Sequence, residues 1–149
     1  MTDATSTRNL IQTFLNAVAA GDRDGMIAQV SDGLVHDINQ GGERRIGKDR
    51  FSAYTARMQH HYAESIRDVI IMVSDDGTRA AAEYNLEGRY VQTEDGLPPA
   101  CGQTYSLPAA MFFAVSGDSI ERITTYYNLT DWLTQIVKGA EGYEPTPIN

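Results

Sequence analysis

The sequence predicts an α+β domain in which helices pack on the concave face of a strongly curved antiparallel sheet. In the first half of the chain, apolar residues recur at the spacing of amphipathic helices. The second half holds long runs rich in β-branched and aromatic residues, separated by short turn sequences. Helices and strands are thus segregated along the chain, as in α+β proteins. Because long strands twist and bend, we expect a cone-shaped sheet that three helices from the first half cover without filling.

One apolar stripe and two capping signals predict the first two helices. The stripe consists of Leu10, Ile11, Phe14, Leu15 and Val18. Thr5 or Ser6 can cap the first helix at its start, and Gly21 can end it. Asp22 then occupies the N-cap position of a short second helix that buries Met26. The chain therefore opens with two helices joined at a tight corner.

A strand and a third helix follow. Residues 34–39 alternate between apolar and polar side chains, which predicts a strand. Residues 42–48 match most of the phosphate-loop pattern, but Asp49 stands where Ser or Thr is needed. We therefore interpret them as a hairpin turn and a helix start, and expect no nucleotide site. A helix over 48–62 carries on one face Phe51, Tyr54, Met58 and either His61 or Tyr62.

The second half predicts an antiparallel meander and a closing helix. The predicted strands span residues 69–73, 79–91, 104–115 and 120–129. Glycines and prolines in residues 93–102 predict a long loop at the rim of the sheet. Thr130 can cap a last short helix. We predict a single domain over residues 1–138 and a flexible C-terminal tail over residues 139–149.

Charge and composition exclude several classes of function. The formal net charge of −8 disfavours binding to nucleic acid or to an anionic membrane. Cys101 is the only cysteine, and the first residues carry no apolar stretch behind a basic segment, so we expect a cytoplasmic protein. His60 and His61 are adjacent, and His36 has no ligand partner at helical spacing, so we expect no metal and no cofactor.

Asp37 is the candidate catalytic residue on the predicted strand 34–39. Val35, Asp37 and Asn39 share one face of that strand. If this face looks into the cavity, apolar surroundings raise the pKa of the Asp37 carboxyl and make it a better proton acceptor at neutral pH. The alternative is a solvent-facing aspartate near a turn.

The last strand offers a second set of candidates. Tyr126 and Asn128 share one face of it, and Thr125 and Tyr127 share the other. One of the two tyrosines should therefore reach the cavity.

Two segments of the chain resemble the nuclear-transport-factor-two-like superfamily. The first segment resembles the opening of the superfamily's sequences. It consists of the Ala-Gly-Asp-x-Asp-Gly corner at residues 20–25 and the Leu-Val-His-Asp that follows at residues 34–37. Residues 125–132 are similar to the end of ketosteroid isomerase-related proteins. The chain also resembles two other groups of the superfamily, the ketosteroid isomerases and the SnoaL-like polyketide cyclases. This resemblance implies a cystatin-like α+β barrel, a cone of three helices and a curved sheet.

The resemblance also implies roles for individual residues. Asp37 falls where ketosteroid isomerases keep the general base that moves a proton beside a carbonyl. Phe14 falls at their oxyanion-hole tyrosine, and Met111 falls near their protonated acid. Losing one such donor costs about 2.7 to 4 kcal/mol of transition-state stabilisation, so steroid isomerisation is not expected. The replacement donors considered are Tyr54, His61, Tyr126 and Asn128.

We therefore expect an isomerase- or cyclase-type enzyme in which Asp37 transfers a proton on a small apolar carbonyl compound. The residues expected to bind this substrate are Phe14, Val18, Tyr54, Met58, His61, Met111, Phe113, Tyr126, Asn128 and Trp132. The alternative is a protein that binds a hydrophobic small molecule without turnover. The expected protein partner is a second copy of the chain, through the outer face of the sheet.

Overall fold

The computed structural model describes residues 2–141 of the protein. The helices are α1 (Ala4–Ala20), α2 (Arg23–Ile27), α3 (Lys48–His61) and α4 (Leu129–Ala140). The strands are β1 (Val30–Ile38), β2 (Gly41–Ile46), β3 (Tyr62–Val73), β4 (Arg79–Tyr90), β5 (Thr104–Ser116) and β6 (Ser119–Tyr127). They form one curved sheet in the order β2-β1-β6-β5-β4-β3. The predicted α+β class, with helices on the concave face of a curved sheet, is confirmed.

The sheet is mixed, because β1 and β6 pair in parallel while the other neighbouring strands pair antiparallel. The meander from β3 to β6 follows the predicted order. After α3 the chain continues into β3, at the far edge of the sheet from β2, and it returns to β1 only through β6. This return brings two parallel strands together, which the prediction of a purely antiparallel sheet did not include.

Three strands differ from the prediction. β1 begins at Val30, four residues before the predicted start at residue 34. Residues 41–46 form β2, at the edge of the sheet, where the sequence suggested only a turn. This strand is mostly exposed and therefore lacks the apolar alternation that reveals a buried strand. The strand predicted to begin at Val69 begins at Tyr62. A bulge at Asp68, whose φ is +56°, reverses the inward–outward alternation within β3. The apolar pattern of its second half therefore does not extend back into its first half.

The helix caps agree in part with the prediction. Asp22 caps α2 by accepting from the Gly25 N–H, as expected, and Gly21 ends α1 in the left-handed region at φ +67°. The side chain of Asp3 caps α1, not Thr5 or Ser6.

The C-terminal helix begins and ends differently from the prediction. Asn128 caps α4, not Thr130, by accepting from the Asp131 N–H. The helix continues to Ala140, beyond the predicted boundary at residue 138. The rest of the predicted tail, residues 142–149, lies outside the described residues. Within the described chain, none of the helices has the length and apolar character needed to cross a membrane.

Two clusters of buried side chains hold the helices to the sheet. The larger one joins α1 and α2 to the concave face, with Ile11, Phe14 and Phe113 at its centre. The smaller one is mainly aromatic and lies beneath α4. It consists of Tyr62, Tyr90, Tyr105, Leu107 and Ile136. A cavity lined by residues of both clusters opens between the helices and the sheet.

Candidate functional site

A cavity of about 680 Å³ lies between the helices and the concave face of the sheet. Its apolar walls include Phe14, Val18, Met26, Ile38, Phe51, Met58, Ile66, Leu86, Leu97, Met111, Ile123, Leu129, Trp132 and Leu133. Polar groups reach it from α3, from the strands β1, β2, β3, β4 and β6, and from the loop after β4. A cavity with apolar walls and a few polar groups suits a small organic ligand.

Six of the residues predicted to bind substrate line this cavity. They are Phe14, Val18, Tyr54, Met58, Met111 and Trp132. Phe14 and Met111 stand where the resemblance placed two lost proton donors, and both positions do face the cavity. Their side chains form apolar parts of the cavity wall and supply no hydrogen-bond donor.

The other four predicted binding residues lie elsewhere. Phe113 is fully buried behind the wall, where its ring meets Phe14 edge to face. His61 is turned toward the backbone of Gln92, whose carbonyl oxygen lies 3.0 Å from Nδ1. Tyr126 lies on the outer face of the sheet, and Asn128 caps α4. Tyr127, adjacent to both, is the tyrosine of β6 that faces the cavity.

The placement of Asp37 corrects its predicted orientation. His36 and Ile38 line the cavity, whereas Asp37 pairs across the sheet with Thr124, on the outer face. The alternation along β1 was predicted correctly, but its phase is opposite. Asp37 is nevertheless only 4% exposed, and Arg44 lies against it with Nη2 3.4 Å from Oδ2. This carboxylate is buried and ion-paired, away from the cavity.

Glu64 is the acid that enters the cavity. It lies on the inward face of β3 between Tyr62 and Ile66, and the Tyr105 hydroxyl donates a hydrogen bond to its carboxylate. Burial raises the pKa of Glu64, and the hydrogen bond from Tyr105 offsets part of that rise. The sequence analysis missed Glu64 because it began this strand too late. A Tyr-x-Glu-x-Ile alternation at residues 62–66 is the signal that could have found it.

Gly88 allows Tyr105 to reach Glu64. The two residues are cross-strand partners on β4 and β5. A β-carbon at position 88 would overlap with the Tyr105 ring, so the ring lies directly against the backbone of β4. The hydrogen bond to Glu64 thus depends on a residue without a side chain.

Three tyrosine hydroxyls face the same cavity and have no hydrogen-bond partner among residues 2–141. They belong to Tyr54, Tyr84 and Tyr127. Burial raises the pKa of each, and the charge of Glu64 raises it further. All three therefore stay protonated at neutral pH and are available to donate to a ligand.

His36 adds a neutral polar group to the cavity wall. Its ring packs against Phe51 and Tyr54 at centroid distances of 5.0 and 4.9 Å. Burial, assisted by the nearby Arg45 charge, lowers the pKa of His36 from 6.5 to about 4. The imidazole is therefore uncharged at neutral pH.

A further group of charges lies at the rim of the cavity. Arg45 and Arg57 line it beside Tyr54, and the loop after β4 supplies Glu94. Tyr62 donates to the Glu94 carboxylate. Over residues 2–141, no group of three or more His, Cys, Asp and Glu side chains is placed to hold a metal ion.

Comparisons with known proteins place this architecture in a family. A SnoaL-like domain model matches residues 11–123. A candidate polyketide cyclase from Xanthomonas campestris pv. campestris is 41% identical with a TM-score of 0.86, covering 89% of this chain and 98% of that chain. Another from Pseudomonas putida KT2440 is 43% identical with a TM-score of 0.84, covering 91% of this chain and 98% of that chain.

More distant structures share the fold alone. An LEH-like epoxide hydrolase from M. tuberculosis is 20% identical with a TM-score of 0.73, covering 95% of this chain and 91% of that chain. A search of curated proteins finds no significant match. The family model spans most of the chain, and the more similar structures have the same cone of helices and curved sheet. The chain belongs to the SnoaL-like domain family of the nuclear-transport-factor-two-like superfamily.

Proposed function

We propose that this protein is a cyclase- or isomerase-type enzyme that transfers a proton on a small, largely apolar carbonyl compound, with Glu64 as acid and base. The observation that carries this proposal is the Glu64 carboxyl inside an apolar cavity, with a pKa raised by burial. A carboxylate of raised pKa is a stronger base and removes a carbon-bound proton more effectively. Glu64 takes the role that the sequence assigned to Asp37, whose side chain lies on the outer face.

The proposed reaction begins when the Glu64 carboxylate takes a proton from the carbon beside the carbonyl. The electron pair of that C–H bond moves to the carbonyl oxygen, which gives an enolate. In an isomerisation, Glu64 returns the proton to another carbon. In a cyclisation, the enolate carbon attacks a second carbonyl of the same molecule, and Glu64 gives its proton to the new alkoxide.

The developing negative charge on oxygen needs hydrogen-bond donors. The hydroxyls of Tyr54, Tyr84 and Tyr127 face the cavity, and none has a partner within the described chain. Removing one donor from such a site typically costs about a hundredfold to a thousandfold in turnover. These tyrosines can replace the donors that Phe14 and Met111 cannot supply.

The relatives support a carbonyl substrate. The two structures reported above at 41% and 43% identity are described as candidate polyketide cyclases, and polyketides are carbonyl-rich carbon chains. A cavity of about 680 Å³ with mostly apolar walls suits a compound of this size and polarity. We therefore propose a polyketide-like compound as substrate.

The second candidate is a binding protein for a hydrophobic small molecule. The apolar walls favour it, because they would hold such a ligand whether or not Glu64 moves a proton. The two functions differ only in turnover, so the test must measure proton transfer directly.

Deuterium exchange provides this test without knowledge of the product. The protein is incubated in D₂O with a panel of cyclic ketones and 1,3-diketones, and deuterium uptake beside the carbonyl is followed by mass spectrometry. We expect uptake with the wild-type protein and about a 10²- to 10⁴-fold slower rate for Glu64→Gln. Glu83→Gln is the matched control, since Glu83 is an exposed acid on the outer face of β4.

Two results would contradict the proposal. Equal uptake by wild type and Glu64→Gln would show that another group moves the proton. Saturable binding of a ketone, with no uptake on any member of the panel, would favour the binding protein.

A further inference from the structure

Two adjacent arginines of β2 have opposite surroundings. Arg44 lies on the outer face and pairs with Asp37. Arg45 is the cross-strand partner of His36, and both line the cavity. Among residues 2–141, no carboxylate lies within ion-pair distance of Arg45, and no hydrogen-bond acceptor is in reach of its guanidinium. Arg45 is half-buried, so this charge is partly removed from water without a partner.

Arg57 joins Arg45 at the same point of the rim. The guanidinium carbon of Arg45 lies 4.2 Å from the centroid of the Tyr54 ring, and that of Arg57 lies 5.9 Å from it. Arg57 has only a long contact to Glu94, with 3.9 Å between Nη2 and Oε1. Two guanidinium groups thus face one aromatic ring, in a chain whose formal net charge is −8.

This arrangement is suited to an anion. A guanidinium presents parallel N–H donors that match the two oxygens of a carboxylate, and the resulting charge-assisted hydrogen bonds are among the strongest in proteins. The contact with Tyr54 orients Arg45 but satisfies none of its N–H groups. Arg45 therefore offers donors and charge at the rim that no residue among 2–141 uses, while Arg57 has only its long contact to Glu94.

We propose that the natural ligand carries a carboxylate group, which Arg45 and Arg57 bind at the rim while the apolar remainder extends toward Glu64. The inference rests on the proposed function, because it takes this cavity as the substrate site, and it narrows the substrate to an apolar carbonyl acid. Ionised Glu64 repels an anion, whereas Arg45 and Arg57 attract it. These charges therefore orient the ligand with its carboxylate outward and its carbonyl inward. Tyr54 lies beside the proposed anchor, with the guanidinium carbon of Arg45 4.2 Å from its ring centroid, and it lines the same cavity as Glu64.

A matched pair of probes tests this proposal without any turnover. We choose 2-naphthylacetate and its neutral amide, 2-naphthylacetamide, and measure their dissociation constants by isothermal titration calorimetry at low salt. We expect the acid to bind about tenfold to a hundredfold more tightly than the amide. Arg45→Gln should abolish that preference, whereas Arg45→Lys should retain part of it because the charge remains.

Controls separate the anchor from the general stability of the pocket. The affinity for the amide reports whether the cavity is intact in each variant. Arg79→Gln, which removes an exposed arginine of β4, should leave the preference for the acid unchanged. Added salt should weaken binding of the acid more than binding of the amide.

Three outcomes would overturn the proposal. These are equal affinities of the wild-type protein for the two probes, an unchanged preference in Arg45→Gln, and no saturable binding of either probe at millimolar concentration. Its failure is distinguishable from failure of the proposed function. Glu64→Gln should lose deuterium exchange on neutral ketones and retain the preference for the acid. Equal affinities of the wild-type protein for the two probes, with Glu64-dependent exchange on neutral ketones intact, would overturn the carboxylate anchor alone.

Discussion

The concave and outer faces of the sheet each hold one carboxylate shielded from bulk water, half-buried in Glu64 and buried in Asp37, and the two carboxylates have opposite surroundings. Glu64 enters the cavity on the concave face, where an uncharged hydroxyl from Tyr105 is its partner. Asp37 lies on the outer face, where Arg44 supplies a positive charge. Both positions are shielded, but only Glu64 can meet a ligand. A buried acid therefore indicates a reactive site only when it also borders a cavity and lacks a charged partner.

The same comparison extends to the side chains around each acid. Near Glu64, the hydroxyls of Tyr84 and Tyr127 face the cavity without partners in the described chain. Near Asp37, the guanidinium of Arg44 occupies one carboxylate oxygen, while the other oxygen is buried without a partner among residues 2–141. The concave face thus presents hydrogen-bond donors to a ligand, whereas the carboxylate on the outer face is already paired with an arginine of the same chain.

The largest expected effect is that removing the Glu64 carboxylate lowers turnover, whereas removing the Asp37 carboxylate lowers stability. Glu64→Gln should lower kcat by about 10²- to 10⁴-fold, because it removes the proposed proton acceptor. Asp37→Asn should leave kcat within about threefold but lower the free energy of unfolding by about 1 kcal/mol, since its partner Arg44 is largely exposed. Steady-state kinetics and urea unfolding measure the two quantities. A loss of kcat in Asp37→Asn that matches the loss in Glu64→Gln would contradict this assignment.

The next effect is a loss of stability in acid that is specific to His36. The pKa of His36 is about 4 in the folded protein and near 6.5 when exposed, so the unfolded chain binds more protons between these values. Stability is therefore present above pH 6.5 and is lost as the pH falls toward 4, by about 3 kcal/mol in full.

Urea unfolding of wild type and His36→Gln across this pH range checks the sign. The curve for His36→Gln should be flatter between pH 6.5 and 4. His61→Gln is the matched control, because the His61 ring lies outside the cavity beside the Gln92 backbone. If both variants keep the acid-dependent loss of the wild type, His36 is not its source.

The sequence predicted the features that arise from strong periodicity. The stripe of α1 and the long strands β4, β5 and β6 were expected because their apolar faces are continuous, and the resemblance to the superfamily was confirmed by the family match. The edge strand β2 was not expected, because an exposed polar strand has no apolar face to reveal it.

The candidate site was harder to predict, because alternation along a strand does not specify which face turns inward. Asp37 was expected inside, and that error has this cause. Glu64 was not considered, because the strand that carries it was predicted to begin only at Val69. On β1 the phase was wrong by one residue, which exchanges Asp37 for His36 in the cavity. On β3 the bulge at Asp68 shifts the phase midway, so the pattern of the second half gives no indication of Glu64.

A smaller effect should follow from closing the gap that admits the Tyr105 ring. A methyl group in Gly88→Ala would overlap with that ring, so either Tyr105 leaves Glu64 or the strands shift. We expect a loss of about 1 to 3 kcal/mol in the free energy of unfolding, together with reduced turnover. Gly33→Ala is the matched control, because its added methyl group meets nothing within 4 Å. Thermal unfolding that is unchanged in Gly88→Ala would show that the ring is not held as described.

The last comparison concerns the outer face, which we propose as the surface that joins two copies of the chain. Met72, Ala81 and Phe112 are successive neighbours across β3, β4 and β5, and Phe112 is 45% exposed there. An apolar row of this kind on a sheet is commonly covered by a partner. Sedimentation of the wild-type protein should therefore give twice the chain mass of 16.4 kDa.

Phe112→Glu should weaken that association by about tenfold to a hundredfold, because it places a charge in the apolar row of each copy. Val137→Glu is the matched control, since Val137 is similarly exposed, at 48%, but lies on α4. Sedimentation that shows only a 16.4 kDa species for the wild-type protein would contradict the proposed dimer. Equal weakening by both variants would show that the effect of the added charge is not specific to the outer face.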